Sequence, residues 1–321
     1  MLRRLMLALV ATAGLMAPER AAAQGNDVIW VLFPYGARAA GMGKAITAEA
    51  TGLESIHWNP AGLADLDGPE FMLSHMENVV DHRVEYLTIA VPGHGWGNFG
   101  FTFYLDHLGE AIPETDAAGN VLGTVGVWDN FWAVSYATPV TDNLDFGANM
   151  KFLVSKLANV LGYSTAFDVG LRYEVNPKLS LAMVLRNQGP KLQYIDAYQS
   201  DPIAGRFVLG GRYTVVDDSV NRWIVTGDVY KSTTILDEEM DLQLREIKGY
   251  LGSEFTYRTE STSLKDLSLR AGYLWERDVR TDGISLSYGL GFSWGSTQFD
   301  LAVVDDNDLE QKQIFSIAVA F

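Results

Sequence analysis

The chain has 321 residues, 48% of them hydrophobic, with 24 Lys+Arg against 40 Asp+Glu and no cysteine. The acidic balance argues against nucleic acid or an anionic membrane surface as a general partner, because phosphate is repelled. Without cysteine there are no disulfides and no bacterial lipoprotein anchor.

Met1 to Gln24 reads as a secretory signal peptide: Arg3 and Arg4, an apolar run from Leu5 to Ala17, then Ala21-Ala22-Ala23 before Gln24, with cleavage predicted near Ala23. Removing Arg3, Arg4, Arg20 and Glu19 leaves 21 basic against 39 acidic side chains, a net of −18. No later stretch reaches the roughly 18 to 20 consecutive apolar residues of a helical membrane span. A membrane-spanning form of this chain must therefore be a closed barrel, the other way to satisfy every backbone polar group in lipid.

Val28 to Pro34 reads as an extended apolar lead-in. Gly36 to Leu66 then stands apart, rich in small residues and closing on Trp58-Asn59-Pro60-Ala61-Gly62-Leu63. Asn59 suits a helix N-cap and Pro60 the first helical position, where its missing amide is not needed. Gly36, Gly41, Gly43, Gly52 and Gly62 keep the backbone thin, which fits a segment threaded through a barrel lumen.

From Glu70 onward the pattern has period two. Tyr163, Thr165, Phe167, Val169, Leu171, Tyr173 and Val175 alternate with Ser164, Ala166, Asp168, Gly170, Arg172 and Glu174. Candidate strands fall at 70–77, 83–91, 97–105, 128–138, 143–155, 162–175, 178–187, 204–216, 221–231, 248–258, 266–276, 283–294, 296–304 and 312–321. Fourteen is an even number, as single-chain outer-membrane barrels require.

Connections at 78–82, 106–127, 156–161, 188–203, 232–247, 277–282 and 305–311 would be outer loops. Those at 92–96, 139–142, 176–177, 217–220, 259–265 and Gly295 would be periplasmic turns. Aromatics near strand ends, among them Trp96, Trp128, Trp132, Tyr136, Trp223, Tyr257, Tyr273, Trp275 and Trp294, suit interfacial girdles. The end, Ile317-Ala318-Val319-Ala320-Phe321, looks like an outer-membrane C-terminal strand signal, with Phe321 read by the barrel assembly machinery.

With these residues in hand, the chain resembles the PorV/PorQ family of FadL-like outer-membrane barrels. The carrying motifs are Gly36-Ala37-Arg38-Ala39-Ala40-Gly41-Met42-Gly43 and Trp58-Asn59-Pro60-Ala61-Gly62-Leu63. The resemblance implies an all-β transmembrane barrel of about fourteen strands with a short, partly helical N-terminal plug. The domains would be a signal peptide over 1–24, a plug over 25–69 and a barrel over 70–321. It implies the outer membrane of a Gram-negative-type bacterium, with lipid and lipopolysaccharide as surroundings.

Two roles follow from the resemblance. One is participation in type IX-like protein secretion, engaging exported cargo or secretion components; the alternative is FadL-like transport of hydrophobic small molecules. An acidic pair expected between the two motifs is replaced here by Ala50-Thr51-Gly52, so no acid is expected at those positions to hold the plug.

No catalytic, cofactor or metal site is expected. Gly41-Met42-Gly43-Lys44 lacks the earlier Gly and following hydroxyl of a phosphate loop, where Arg38 and Ala45 stand. His57, His75, His82, His94 and His107 show no ligand spacing, and no Ser sits in a G-x-S-x-G turn.

Asp237, Glu238, Glu239 and Asp241, with Asp305, Asp306, Asp308 and Glu310, form acidic outer loops: solvated surfaces or divalent-cation sites. Met42, Met72, Met76, Met150 and Met183 are packing filler or a greasy path. Asp168, Arg172, Glu174, Arg186, Arg206, Arg212, Asp228, Glu254, Arg270 and Glu276 face inward, which predicts a cross-lumen ion-pair network.

Overall fold

The structure, a computed structural model, describes residues 28–77, 82–116, 118–194, 200–233, 247–277, 282–305 and 311–321. The signal-peptide residues and Asp237, Glu238, Glu239, Asp241, Asp306, Asp308 and Glu310 lie outside the described residues, as does the side chain of Glu276. None of the described helices is long and apolar enough to cross a membrane.

Among the described residues sixteen strands make one sheet. They are β1 (Glu70–Glu77), β2 (His82–Pro92), β3 (Asn98–Thr115), β4 (Val121–Thr141), β5 (Leu144–Leu157), β6 (Val160–Asn176) and β7 (Leu179–Gln188). Two short pieces follow, β8 (Leu192–Gln193) and β9 (Ser200–Asp201), and then β10 (Arg206–Asp217), β11 (Asn221–Ser232) and β12 (Ile247–Arg258). The last are β13 (Leu264–Arg277), β14 (Asp282–Trp294), β15 (Thr297–Asp305) and β16 (Lys312–Ala320).

Each long strand pairs antiparallel with its neighbours, β7 pairs β10, β1 pairs β16 and β5 pairs β6, so the sheet closes on itself. Leaving out the two-residue β8 and β9, the closed barrel has fourteen strands, the number that the alternation predicts.

Alternation decides which side chains meet lipid. On β5, Met150 and Phe152 are exposed while Gly147, Asn149, Lys151, Leu153 and Ser155 are buried inside. On β14, Leu286, Tyr288, Leu290, Phe292 and Trp294 face out, with Ser287, Gly289 and Gly291 within. An exposed apolar belt over a polar, small-residue interior is the signature of a barrel whose solvent is hydrocarbon.

Both barrel termini meet at one end, where Phe321 N donates to Pro69 O at 2.9 Å. The turns at that end are short, such as Asp142-Asn143 between β5 and β4 and Pro177-Lys178 between β6 and β7, which makes it the periplasmic end.

The structure corrects three local expectations. The 106–127 loop is largely strand: β3 runs to Thr115 and β4 begins at Val121, with Ile112 opposite Val125 and Glu114 opposite Gly123. Outside the membrane neither face needs to be uniformly apolar, so Gly119, Gly123 and Gly126 hide this ribbon from an alternation search. The 156–161 loop shrinks to Ala158-Asn159, with Ala158 at φ +55 taking the left-handed turn position that favours glycine. Val28 to Pro34 is not extended; Ile29–Leu32 form a 3-10 turn, because Trp30 must fold back to stack on Tyr104, centroids 5.7 Å apart.

Candidate functional site

The lumen is filled by the N-terminal segment itself. Short helices at Ala37–Gly41 and Gly52–Trp58 and a 3-10 turn at Pro60–Asp65 lie inside, and nearly every residue from Tyr35 to Leu63 is buried. Val28 bridges Ile203 near the outer end, and the chain descends to Glu70 at the periplasmic end.

Bare backbone lets it fit. Gly43 has φ +63, and a Cβ built on Gly272 of β13 would stand 2.0 Å from Gly43 N. A Cβ on Gly147 would meet the Pro60 carbonyl carbon at 2.2 Å, and one on Gly170 would meet Asn59 Oδ1 at 2.0 Å. Gly41 presses likewise on Gly289, at 2.8 Å from its own built Cβ to the Gly289 Cα. Motif glycines thus oppose wall glycines, backbone against backbone.

Asn59 works in three directions. Its Oδ1 accepts from Ala61 N at 3.2 Å, and its Nδ2 donates to Thr47 O at 3.0 Å and to Leu171 O of β6 at 3.3 Å. Pro60 follows at the first position of the turn, and Gly62 packs under Ala50, whose carbonyl oxygen is 2.0 Å from a built Cβ. Trp58 Nε1 donates to Tyr35 O at 3.2 Å, while Met42 and Leu63 are wholly buried. Asn59→Ala is expected to cost about 1–3 kcal/mol, since two buried backbone groups, Ala61 N and Thr47 O, and the part-buried Leu171 O lose this partner. Thermal unfolding of the purified barrel checks this.

Charge is concentrated in the periplasmic half. Arg38 reaches Glu49 at 2.7 Å, Glu54 at 3.0 Å and Glu254 at 2.8 Å. Glu254 also holds Arg270 at 2.6 Å and Arg222 at 3.3 Å, and Arg270 holds Asp300 at 2.6 Å. Arg222 returns to Glu49 at 2.8 Å and Arg212 lies 3.5 Å from it. Four guanidinium groups and four carboxylates form one connected set. Glu49 and Glu54 flank Ala50-Thr51-Gly52, so acids do hold this segment, from positions just outside those where the family resemblance places them: Glu49 to the wall through Arg212 and Arg222, and Glu54 to Arg38 and Ala39 N within the segment itself.

Of the other inward charges, Arg172 pairs with Asp145 at 2.8 Å and with Asp65 at 2.5 Å, Asp228 accepts from Thr47 N at 3.0 Å, and Glu174 is exposed. Arg206 is half-buried.

A second polar group sits at mid-depth. Lys151 Nζ contacts Asp168 at 2.7 Å and Asn187 Oδ1 at 2.7 Å. Arg186 is fully buried, lies over the Trp58 ring at 5.1 Å and donates to His57 Nε2 at 2.5 Å. Burial, with Arg186 and Lys151 adding to it, pushes the His57 imidazole well below its ordinary value, so it stays neutral and can accept. The remaining histidines are dispersed: His75 bonds Glu85, His82 bonds Asp106, and His94 and His107 lie apart. Among the described residues no cluster could hold a metal ion.

The outer half is mainly aromatic, with Asp106, bonded to His82 and to Tyr104 Oη, and the inward-facing Asp129 set into it. Tyr35 stacks on Tyr86 at 4.9 Å, Tyr104 stacks on Phe131 at 4.9 Å, and Trp30 covers both Tyr104 and Phe131. Met72, Met76 and Val84 join the same cluster. Met42 packs in another cluster beneath Trp58, Met150 faces out, and Met183 lies on the outer face too, so the methionines do not line one path. Below lies a polar cavity of about 240 Å³ at the periplasmic mouth, walled by Glu49, Asp65, Asp145, Arg172, Arg212 and Arg222.

Sequence reasoning missed Glu49, Glu54 and Arg222, because acids in a small-residue stretch and a cation at a strand end look like solvated surface. The aromatic group escaped it too, since Trp30, Tyr35, Tyr86, Tyr104 and Phe131 come from four separate stretches.

No family model matches the chain, and no curated protein matches it. Solved structures do. The CymD monoaromatic hydrocarbon channel superposes with a TM-score of 0.62 at 13% identity, over 89% of this chain and 97% of that one. The toluene transporter TbuX of Ralstonia pickettii gives 0.58 at 12% identity, over 89% and 98%. A FadL homologue of Pseudomonas aeruginosa gives 0.55 at 10% identity, over 90% and 98%. At such identities the likeness is one of fold: a FadL-like fourteen-stranded barrel. The finer PorV/PorQ resemblance rests on the sequence motifs.

Proposed function

We propose that this barrel sits in the outer membrane and passes hydrophobic small molecules across it without catalysing a reaction, with residues 28–69 as its plug. The carrying observation is the division of the lumen: aromatic rings predominate toward the outer end, with Asp106 and Asp129 among them, and the connected set of four guanidinium groups and four carboxylates lies toward the periplasm. An apolar solute gains by entering the outer half and meets a costly desolvated charge network below, so passage requires the plug to shift.

The likeness in fold to hydrocarbon channels supports this reading over protein secretion, for which the fold offers no support. Phe321 and the alternating Phe315, Ile317 and Val319 of β16 would serve the barrel assembly machinery. Cells lacking other hydrocarbon-uptake barrels and expressing this chain are expected to accumulate radiolabelled toluene several-fold faster than cells carrying an empty vector. Uptake no faster than with the empty vector, for toluene and for a long-chain fatty acid alike, would overturn the proposal.

Gating has its own test. Trp30→Ala removes the ring that covers Tyr104 and Phe131, and should raise basal conductance in planar bilayers while leaving heat-modifiable migration unchanged. An unchanged conductance would show that Trp30 does not close the outer half.

A further inference from the structure

The apolar run of the lipid-facing wall stops early on β1 and β2. Outward positions begin as Phe71 and Leu73 on β1 and as Val91, Ile89 and Leu87 on β2, then turn to His75 and Glu77 and to Glu85 and Arg83. His75 stands opposite Glu85 and Glu77 opposite Arg83, so the four form two adjacent rows across the strand pair. On either side the wall is apolar, with Phe315 of β16 beside His75 and Leu105 of β3 beside Glu85.

Depth makes this costly. Strands rise about 3.4 Å per residue at a tilt of about 40°, which puts His75, counted from Phe71, and Glu85, counted from Val91, roughly 10–15 Å inside a belt about 25 Å tall. His75 Nδ1 bonds Glu85 Oε1 at 2.8 Å, yet the two side chains are 38% and 52% exposed. Among the described residues His75 Nε2 has no partner, and neither Glu77 nor Arg83 makes an ion pair although they face each other in register. Ionisable groups within a bilayer persist where protein covers and pairs them.

The pattern of signs selects the cover. A two-fold axis along the membrane normal keeps two copies in the same orientation and, passed between β1 and β2, sets each strand against the other copy's neighbour. His75 then faces Glu85 of the second copy and Arg83 faces its Glu77, so opposite signs meet in both rows. We propose that β1 and β2 form the interface between two copies of this chain in the outer membrane. The protonated His75 ring lies between two carboxylates and donates to each, Arg83 meets Glu77 across the axis, and Leu73 and Leu87 pack below. In lipid, apolar contact alone drives little association, and polar pairs hold such an interface together. The contact is on the lipid side of the wall, so it does not depend on what the lumen transports.

The chain has no cysteine, so one introduced thiol reports on one place. Leu73→Cys, in isolated outer membranes treated with a short bis-maleimide, should give at least tenfold more cross-linked dimer than Leu209→Cys on β10, across the barrel; both leucines are 47% exposed. Adding His75→Leu/Glu85→Leu to Leu73→Cys should cut the dimer at least tenfold and leave heat-modifiable migration unchanged, because the wall only becomes more apolar. Arg83→Glu should also cut it, by making its row acidic throughout, and the exchange Glu77→Arg/Arg83→Glu should restore it. Equal dimer from Leu73→Cys and Leu209→Cys, full cross-linking in the leucine variant, no recovery in the exchange, or linkage of Leu73→Cys to a different protein would overturn the proposal.

Discussion

Glu254→Gln is expected to destabilise the barrel by about 3–5 kcal/mol, because it removes one charge from a desolvated set and leaves its partners facing each other. The carboxylate accepts from Arg38 Nε at 2.8 Å and Nη2 at 2.9 Å, from Arg222 Nη1 at 3.3 Å and from Arg270 Nε at 2.6 Å. Glutamine keeps the shape but turns one acceptor into a donor aimed at guanidinium donors. Glu254 and Arg270 are both buried, so water cannot replace the lost charge at the centre of the set, and only Arg38 and Arg222 at its edge, 19% and 24% exposed, can turn toward the periplasmic cavity.

The contrast is Arg258 with Asp217, paired at 2.8 Å but with side chains 35% and 48% exposed. Arg258→Met should cost under about 1 kcal/mol, as exposed pairs do. Urea unfolding in lipid vesicles, followed by tryptophan fluorescence, resolves the two. If Glu254→Gln unfolds with wild type, the network does not hold the inner segment to the wall.

The barrel was readable from sequence because lipid on one side and a small-residue lumen on the other impose a single rule on every strand. Phe99 and Phe101, or Leu286 to Trp294, keep that rule over their whole length. The rule ends at the membrane boundary, which is why β3 and β4 were expected to stop near Leu105 and Trp128 and instead run on as a ribbon. Asn59-Pro60 was legible as a built turn, since capping is local chemistry.

Pairings across the lumen were not legible. Arg38 meets Glu254, 216 positions away, and Asn59 meets Leu171 across 112. Only closure of the barrel brings these together, and a single sequence carries no trace of such a distance.

Gly147→Val is expected to eject the inner segment while leaving the barrel assembled. The built Cβ already lies 2.2 Å from the Pro60 carbonyl carbon and 2.3 Å from Ala61 N, both backbone atoms that no rotamer change can move. Valine adds two further methyl groups at a residue directed into the lumen. Within the sheet Gly147 pairs normally with Ala137 and Gly170, and valine suits a strand, so β5 itself has no reason to fail. The clash must therefore be relieved by the 3-10 turn at Pro60–Asp65, which would drag Asn59 off Leu171. Limited proteolysis should cut between Gly36 and Leu66 at least tenfold faster than in wild type, and single-channel conductance should rise from closed to open. Gly211, whose built Cβ comes no closer than 3.7 Å to the Leu181 side chain, is the matched control, and Gly211→Val should leave both readouts unchanged. Slow cleavage and a closed channel in Gly147→Val would mean that the segment can reseat without its wall glycine, and that backbone-on-backbone contact is not what holds it in the lumen.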